Sequence, residues 1–320
     1  MKYSLYPGCS MERNSAAYLS STLAIAKPLD IELVEIEDWN CCGATEYISL
    51  NKTAAFALIA RNLAQAAKSQ PKDLVAPCSA CYLNLCKADK YLAEDAKLRQ
   101  NVNTALSEAG LSYQPGTVRP RHLLDVIVND IGYGRVQETV KKPLKGLRVA
   151  PYYGCFVVRP SFPQSWDNAE YPMSLDRLLT ALGAEVIDFP MKAHCCGGHM
   201  TQISEATGME MVRRLVKGAA DYQADALVTL CPMCQLNLDA FQPAMNRFFH
   251  SNHRVPILFF TQLMGLAFGF DAAPLGFGSE FISAAPALQK IGVEVPAPAA
   301  ETAPKKSRRD DKSLPMPKMG

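Results

Sequence analysis

Residues 73–86 read DLVAPCSACYLNLC and residues 226–239 read ALVTLCPMCQLNLD. Each stretch opens with a short apolar run of strand length, Asp73–Ala76 and Ala226–Leu230. Each then passes through Cys-x-x-Cys, at Cys78 and Cys81 and again at Cys231 and Cys234. A leucine-rich segment follows that reads as helix in both cases. Strand, cysteine turn and helix in one register, met twice, predict an α/β protein made of two like halves.

The likeness extends upstream. Cys41-Cys42-Gly43 precedes the first stretch and Cys195-Cys196-Gly197 the second, with Pro-Gly-Cys9 and Tyr-Gly-Cys155 further back. The offset is 154 between Cys41 and Cys195 and 153 between Cys78 and Cys231. Leu83-Asn84-Leu85 falls in register with Leu236-Asn237-Leu238. Two such units take up ten of the 11 cysteines. The remaining one, Cys86, aligns with Asp239, so it reads as a packed helix cysteine rather than a ligand.

Strand-like and helix-like segments alternate along both halves. Strands are expected at Lys2–Tyr6, Ile31–Ile36, Asp73–Ala76, Leu147–Tyr152, Ala184–Phe189 and Ala226–Leu230. Helices are expected at Asn14–Lys27, Thr53–Lys68, Cys81–Ser107, His122–Asp130, Ser174–Leu182, Ser204–Tyr222 and Met233–Phe248. This alternation predicts two Rossmann-like domains with parallel sheets, related by a pseudo-twofold. The basic stretch Lys141–Lys145 reads as the connector, giving domains at 1–140 and 141–295. Residues 296–320, rich in Pro, Ala and Lys, read as a disordered tail. Every cysteine group follows an expected strand, where ligands of open α/β sheets collect. A helix N-terminus there favours thiolate over thiol.

The 320 residues are 48% hydrophobic and 20% charged, with a net charge of +2. That balance suits sizeable cores and gives no electrostatic case for nucleic acid. The opening MKYSLYPGCS has no basic segment followed by an apolar run, so no secretory leader is expected. The longest apolar stretch, Pro256 to Phe270, is too short and too polar to span a bilayer. A cytoplasmic location without a membrane span follows as an expectation. Clustered thiols in a reducing compartment are metal ligands more often than disulfides.

Zinc and iron–sulfur both suit thiolates. Zinc takes four ligands, and each half offers five. Adjacent side chains in an extended loop point apart, so Cys41 and Cys42 do not readily meet at one tetrahedral ion. A cubane cluster also takes four cysteines, usually in a tighter run than any found here. Five thiolates suit a larger, multi-iron group, while zinc in one half stays open. His194 and His199 bracket Cys195-Cys196-Gly197-Gly198. Either could give a proton to a leaving thiolate, with loop packing as the competing reading. Gly43, Gly197 and Gly198 suggest close backbone approach to a bound group. Asn84 and Asn237 are matched polar residues inside the helices. Tyr153 and Phe156, beside Cys155, suit core packing or an apolar substrate wall. Asp125 and Gln262 occupy similar places and receive no role.

The doubled motif resembles the CCG-domain family, and more narrowly the B subunit of heterodisulfide reductase and its bacterial relatives, over about residues 1 to 270. The resemblance implies two non-cubane 4Fe–4S clusters. One would sit on Cys9, Cys41, Cys42, Cys78 and Cys81, with Gly43 beside it. The other would sit on Cys155, Cys195, Cys196, Cys231 and Cys234, with Gly197 beside it. It implies disulfide cleavage or formation by one-electron steps at two facing clusters. The substrate would be a disulfide or thiol, possibly on a small carrier protein. The implied partners are the ferredoxin-like subunit and the flavin-containing subunit of a heterodisulfide reductase-type complex. A second reading, from the same resemblance, is an electron-transfer component of a lactate, glycolate, glycerol-phosphate or quinone-linked system. A third is a zinc-stabilised scaffold without catalysis.

Overall fold

The computed structural model describes residues 1–44, 47–161 and 166–296. The expected tail therefore lies, beyond Pro296, outside the described residues. The strands β1 (Lys2–Leu5), β2 (Glu32–Glu35), β3 (Asp73–Ala76) and β4 (Arg119–His122) make one sheet. A second sheet holds β5 (Arg148–Tyr152), β6 (Glu185–Val186), β7 (Ala226–Thr229) and β8 (Ile257–Phe259). The orders are β2-β1-β3-β4 and β6-β5-β7-β8, with every pairing parallel. Matching order and direction bear out the two Rossmann-like halves.

Helices cover the sheets. The first half carries α1 (Ala16–Ala26), α2 (Tyr47–Leu50), α3 (Lys52–Lys68), α4 (Ser79–Glu94), α5 (Ala96–Ser107), α6 (Leu123–Asp125) and α7 (Gly132–Thr139). The second carries α8 (Ser174–Ala181), α9 (Met200–Ile203), α10 (Glu205–Asp221), α11 (Pro232–Ala240), α12 (Gln242–Phe249), α13 (Phe260–Ala267) and α14 (Ala285–Gln289). Strands of such sheets are covered on both faces and read as apolar runs rather than alternating ones. β7 is buried at all four positions.

Several elements differ from expectation. β4 reads Arg-Pro-Arg-His, which lacks β propensity. It pairs with β3 because it lies at the sheet edge, where Pro120 costs no ladder bond. The second of its arginines, Arg121, is buried and held by Asp125 at 2.7 Å and Asp130 at 2.5 Å. β8 is hidden inside the long apolar run before α13. The expected strand Ala184–Phe189 shrinks to Glu185–Val186, an edge strand, with Pro190 close behind it. The expected helix Cys81–Ser107 is two helices. Asp95 breaks it and caps α5 by accepting from the Leu98 N–H at 2.9 Å. Met233–Phe248 likewise divides, with a proline in the first turn of α12.

The halves meet along one seam. Tyr18 of α1 stacks on Phe259, with centroids 4.2 Å apart and planes 5° from parallel. Its hydroxyl lies 3.0 Å from the Pro77 carbonyl and 3.3 Å from that of Leu230. Ser79 Oγ donates to the same Leu230 carbonyl at 3.3 Å. Ser21 and Thr261 join hydroxyls at 2.7 Å. Pro77 and Leu230 immediately precede Cys78 and Cys231. One buried hydroxyl thus draws the two Cys-x-x-Cys turns toward each other.

His122 closes the seam. Its ring is fully buried, and Nδ1 accepts from the Leu124 N–H at 3.1 Å. That fixes the proton of the neutral ring on Nε2. Burial lowers its pKa to about 4, against favourable contributions from Cys231 and the Leu230 carbonyl. Above pH 6.5 both the folded and unfolded chains hold this ring neutral. As pH falls from 6.5 to 4, only the unfolded chain takes up the proton, so stability is lost across that window. We expect His122→Gln to remove on the order of 3 kcal/mol of that loss. Urea midpoints of both proteins at pH 7.5, 6, 5 and 4 check it; parallel curves would show that His122 contributes nothing.

Candidate functional site

The ten motif cysteines sit at the carboxyl ends of the strands and at the starts of helices. Cys78 and Cys231 occupy the positions capping α4 and α11. Cys81 and Cys234 lie three residues on, on the same helical face. Two sulfur pairs of the first half stand in contact. Cys9 Sγ is 3.4 Å from Cys41 Sγ, and Cys42 Sγ is 3.3 Å from Cys81 Sγ. Neighbouring thiols shift one another's ionisation: Cys41 and Cys42, Cys81 and Cys78, and, across the seam, Cys78 and Cys231. The second half repeats this coupling in the order Cys231, Cys234, Cys196, Cys195 and Cys155. Cys9, Cys41 and Cys195 are exposed and Cys155 is half-buried, while the six between are buried. Each set thus reaches from the surface to the buried seam.

Hydrogen bonds split the thiols into donors and acceptors. Cys42 and Cys231 lie well below the usual thiol range, first through hydrogen bonds from Cys41 and Cys234. Cys195 is brought down to about 2 by Cys155, then Cys196, with further help from the Gly197 and Gly198 N–H groups. The donors Cys41, Cys155, Cys78, Cys81, Cys196 and Cys234 are raised, first by the sulfur each one faces. Cys86 lies apart on α4, where burial pushes its thiol up to about 12.

The supporting contacts are duplicated too. Asn84 Nδ2 donates to the Cys42 carbonyl at 3.0 Å, and Asn237 Nδ2 to the Cys196 carbonyl at 2.8 Å. These amides fix the adjacent-cysteine loops from inside the helices. Tyr6 holds the Asn40 carbonyl and Tyr152 the His194 carbonyl, both at 2.7 Å. The two glycines before the first cysteines share a further role. A Cβ on Gly8 would stand 3.0 Å from Cys81 Sγ, and one on Gly154 would stand 3.1 Å from Cys234 Sγ. Both have positive φ, 76° and 69°. Sequence reasoning passed over these glycines, the two tyrosines and His122, although Pro-Gly-Cys and Tyr-Gly-Cys were visible as a repeat.

Of the glycines singled out from sequence, Gly43 has φ 64° and open space about it. Gly197 has φ 80°, and a Cβ there would meet Met211 at 3.0 Å. Its N–H lies 3.4 Å from Cys195 Sγ. A Cβ on Gly198 would stand 3.6 Å from Cys196 Sγ.

Two cavities flank the second set of cysteines. One, of about 190 Å³, is lined by all five cysteines of that set and also by Tyr153, Phe156, His199 and, from the first half, Ser79. The other, of about 270 Å³, lies across the loop and takes in Cys155, Cys195, His194, Arg159 and Arg214. The two histidines therefore face different spaces, and His194 is exposed. The first set opens on a cleft of about 590 Å³ with Glu12, Glu35, Glu37 and Asp38. Asp125 is held by Arg121, and Gln262 accepts from the Phe259 N–H at 2.9 Å and donates to the Leu275 carbonyl at 3.2 Å. Both act within the fold.

Among the described residues no three histidine, cysteine or acidic side chains converge on a single ion-sized position. The donor set instead suits an extended guest: soft thiols in a row, backbone N–H groups aimed at sulfur, and glycines where a Cβ would crowd it. An iron–sulfur group fits these residues.

The Cys-rich CCG domain profile matches residues 3–86 and 149–239, and the chain belongs to that family. It is 35% identical over 283 residues to the 8-methylmenaquinol:fumarate reductase membrane anchor subunit of Wolinella succinogenes. That match covers 88% of this chain and 98% of the relative. It is 30% identical over 293 residues to the B subunit of the ferredoxin/F(420)H(2)-dependent CoB-CoM heterodisulfide reductase of Methanosarcina acetivorans, covering 91% and 97%. A crystal structure of a hypothetical protein from Helicobacter pylori shares the fold at TM-score 0.69 and 17% identity. The match spans 88% of this chain and about half (52%) of that one.

Gly154→Ala should lower stability by about 1–2 kcal/mol through its positive φ and also reduce the iron bound per chain. Gly110→Ala has a similar φ, 64°, with open space around it. It should carry the stability cost alone. Thermal melts and metal analysis of both proteins test the pairing; equal metal loss would refute a role for Gly154 at the sulfurs.

Proposed function

We propose that this chain is the iron–sulfur subunit of a heterodisulfide reductase-like complex that cleaves or forms a disulfide. The observation that carries this reading is the seam, where the Tyr18 hydroxyl lies 3.0 Å from the carbonyl before Cys78 and 3.3 Å from the carbonyl before Cys231, so that the Cys-x-x-Cys turns of the two five-cysteine sets stand side by side. The similarity to the B subunit of a heterodisulfide reductase over nearly the whole chain supports it. Cys9, Cys41, Cys42, Cys78 and Cys81 would hold one non-cubane 4Fe–4S cluster, and Cys155, Cys195, Cys196, Cys231 and Cys234 the other. When bound, such groups supply one-electron transfer and a Lewis-acid hold on sulfur.

Cleaving a disulfide to two thiols consumes two electrons and two protons. The chain's own residues would bind, orient and protonate. Asn84 and Asn237 keep the adjacent-cysteine loops in place, and the buried seam keeps bulk water from the junction. His199, in the wall of the cavity lined also by Cys195 and Cys196, would give a proton to a thiolate formed there. His194 would serve the outer cleft. The electrons would come from a ferredoxin-like subunit and a flavin-containing subunit, as in the complexes this chain resembles. Domains at 1–140 and 141–295 would each carry one cluster. Among the described residues no helix is long and apolar enough to cross a membrane, and a cytoplasmic site of action is part of the proposal.

A second reading has one observation in its favour, the relative named as a membrane anchor of a menaquinol:fumarate reductase. On that reading the same sulfurs would pass electrons between a quinone and a partner protein.

Iron and acid-labile sulfide on anaerobically purified protein test the proposal. Two four-iron groups give about eight irons per chain, and oxidation with a thiol present should yield a paramagnetic signal absent without it. About four irons and one zinc would instead make one half structural and end the paired mechanism.

A further inference from the structure

The two loops that carry Cys155 and Cys195 are joined by a buried ion pair. Lys192 stands three residues before Cys195, and Tyr153 stands two before Cys155. The Lys192 carbonyl accepts from the N–H groups of Tyr153 at 2.8 Å and Gly154 at 3.2 Å. The Lys192 ammonium reaches Asp176 of α8 at 2.9 Å. The other carboxylate oxygen of Asp176 accepts from the Tyr153 hydroxyl at 2.6 Å. That hydroxyl accepts in turn from the Leu175 and Asp176 N–H groups at 2.7 and 3.2 Å. Both lie in the first turn of α8, where an N–H has no acceptor within the helix. The circuit is closed, with the two loops and the helix holding one another. Lys192 is 1% exposed and Asp176 6%.

The first half is built differently at the matching places. Pro7 stands in register with Tyr153, and Asp38 with Lys192. Pro7 has no hydroxyl, and Asp38 turns outward to Arg61 of α3 with its side chain 70% exposed. The Cys41 loop is held from α3 instead, where Asn62 Oδ1 accepts from the Asn40 N–H at 2.8 Å. A buried ion pair is costly to form, and apolar side chains of like volume often replace one with no loss of stability. Stability alone therefore does not account for Lys192 and Asp176, whereas their place between the two loops does.

We propose that Lys192, Asp176 and Tyr153 are positioning residues of the second sulfur set. They fix Cys155 against Cys195, and the second set keeps its metal only while this latch is closed. The first set does not depend on it. The metal half of the inference rests on the iron–sulfur reading, and the placing of the thiols rests on the geometry alone.

Lys192→Met by itself would strand a buried carboxylate, so the test uses Lys192→Met/Asp176→Leu, which removes both charges, together with Tyr153→Phe. Asp38→Asn is the control at the matched place. On the metal-free full chain, phenylarsine oxide bridges two thiols only where they stand together, and peptide mass spectrometry reads which pair is bridged. The double variant should bridge Cys155 to Cys195 about tenfold more slowly than the parent. The Cys9–Cys41 pair, with sulfurs 3.4 Å apart, should be bridged at the parent rate. The metal-free double variant should melt at the parent temperature, and anaerobically purified it should hold about four irons in place of about eight. Tyr153→Phe should move both readings in the same direction, and Asp38→Asn should move neither. Unchanged bridging of Cys155 to Cys195 would overturn the proposal. Equal slowing at both pairs, or a lowered melting temperature with iron lost from both halves, would also overturn it and make the ion pair a part of the general fold. A parent without iron but with the same bridging contrast would end the iron–sulfur reading and leave the latch standing.

Discussion

Ten thiols gathered at the ends of two sheets cannot all ionise. Each thiolate raises the cost of the next, and burial adds to it. The chain resolves this among protons alone by alternation, with Cys42, Cys231 and Cys195 as acceptors and their neighbours as donors. That arrangement leaves most of the sulfurs protonated and poorly suited to hold metal. A cationic guest reverses the balance, because metal replaces the protons and turns mutual repulsion into shared attraction. The fold around the sulfurs is arranged for the second state. Backbone N–H groups point at Cys195, and glycines stand where a Cβ would press on sulfur.

The seam follows from the same crowding. Cys78 and Cys231 come together only if the two halves dock at the starts of their Cys-x-x-Cys helices. The groups that dock them are few and buried: the Tyr18 hydroxyl, Ser79, the Ser21–Thr261 pair and the Tyr18–Phe259 stack. Phe259 and His122 hold matching places, opposite Thr229 and Ala76 at the ends of β8 and β4. One offers an apolar face and the other a buried imidazole. The seam is therefore symmetric in backbone and asymmetric in chemistry.

Much of this was legible before any coordinates. Cysteine spacing and the shared Leu-Asn-Leu told of a duplicated strand–turn–helix unit, because both periodicity and loop chemistry repeated. The matched asparagines were visible as a pair, though their carbonyl partners were not. What escaped notice has a common physical origin. β4 is polar and proline-bearing, and is accommodated at the sheet edge with its buried Arg121 neutralised by Asp125 and Asp130. β8 is three residues inside an apolar run, with no alternation to mark it. Gly8 and Gly154 matter through a sulfur some 70 to 80 positions away, which local pattern does not reveal.

Duplicated backbones with divergent walls set two like sulfur sets in unlike surroundings. Identical strand order and matched hydrogen bonds keep the cysteines of both halves in the same geometry. Side chains outside that frame are free to differ, and they do so at the surfaces through which anything must arrive. Ser10 and Ala80 leave the first set with small neighbours and an acidic approach. Phe156 and Met233 give the second a more apolar wall.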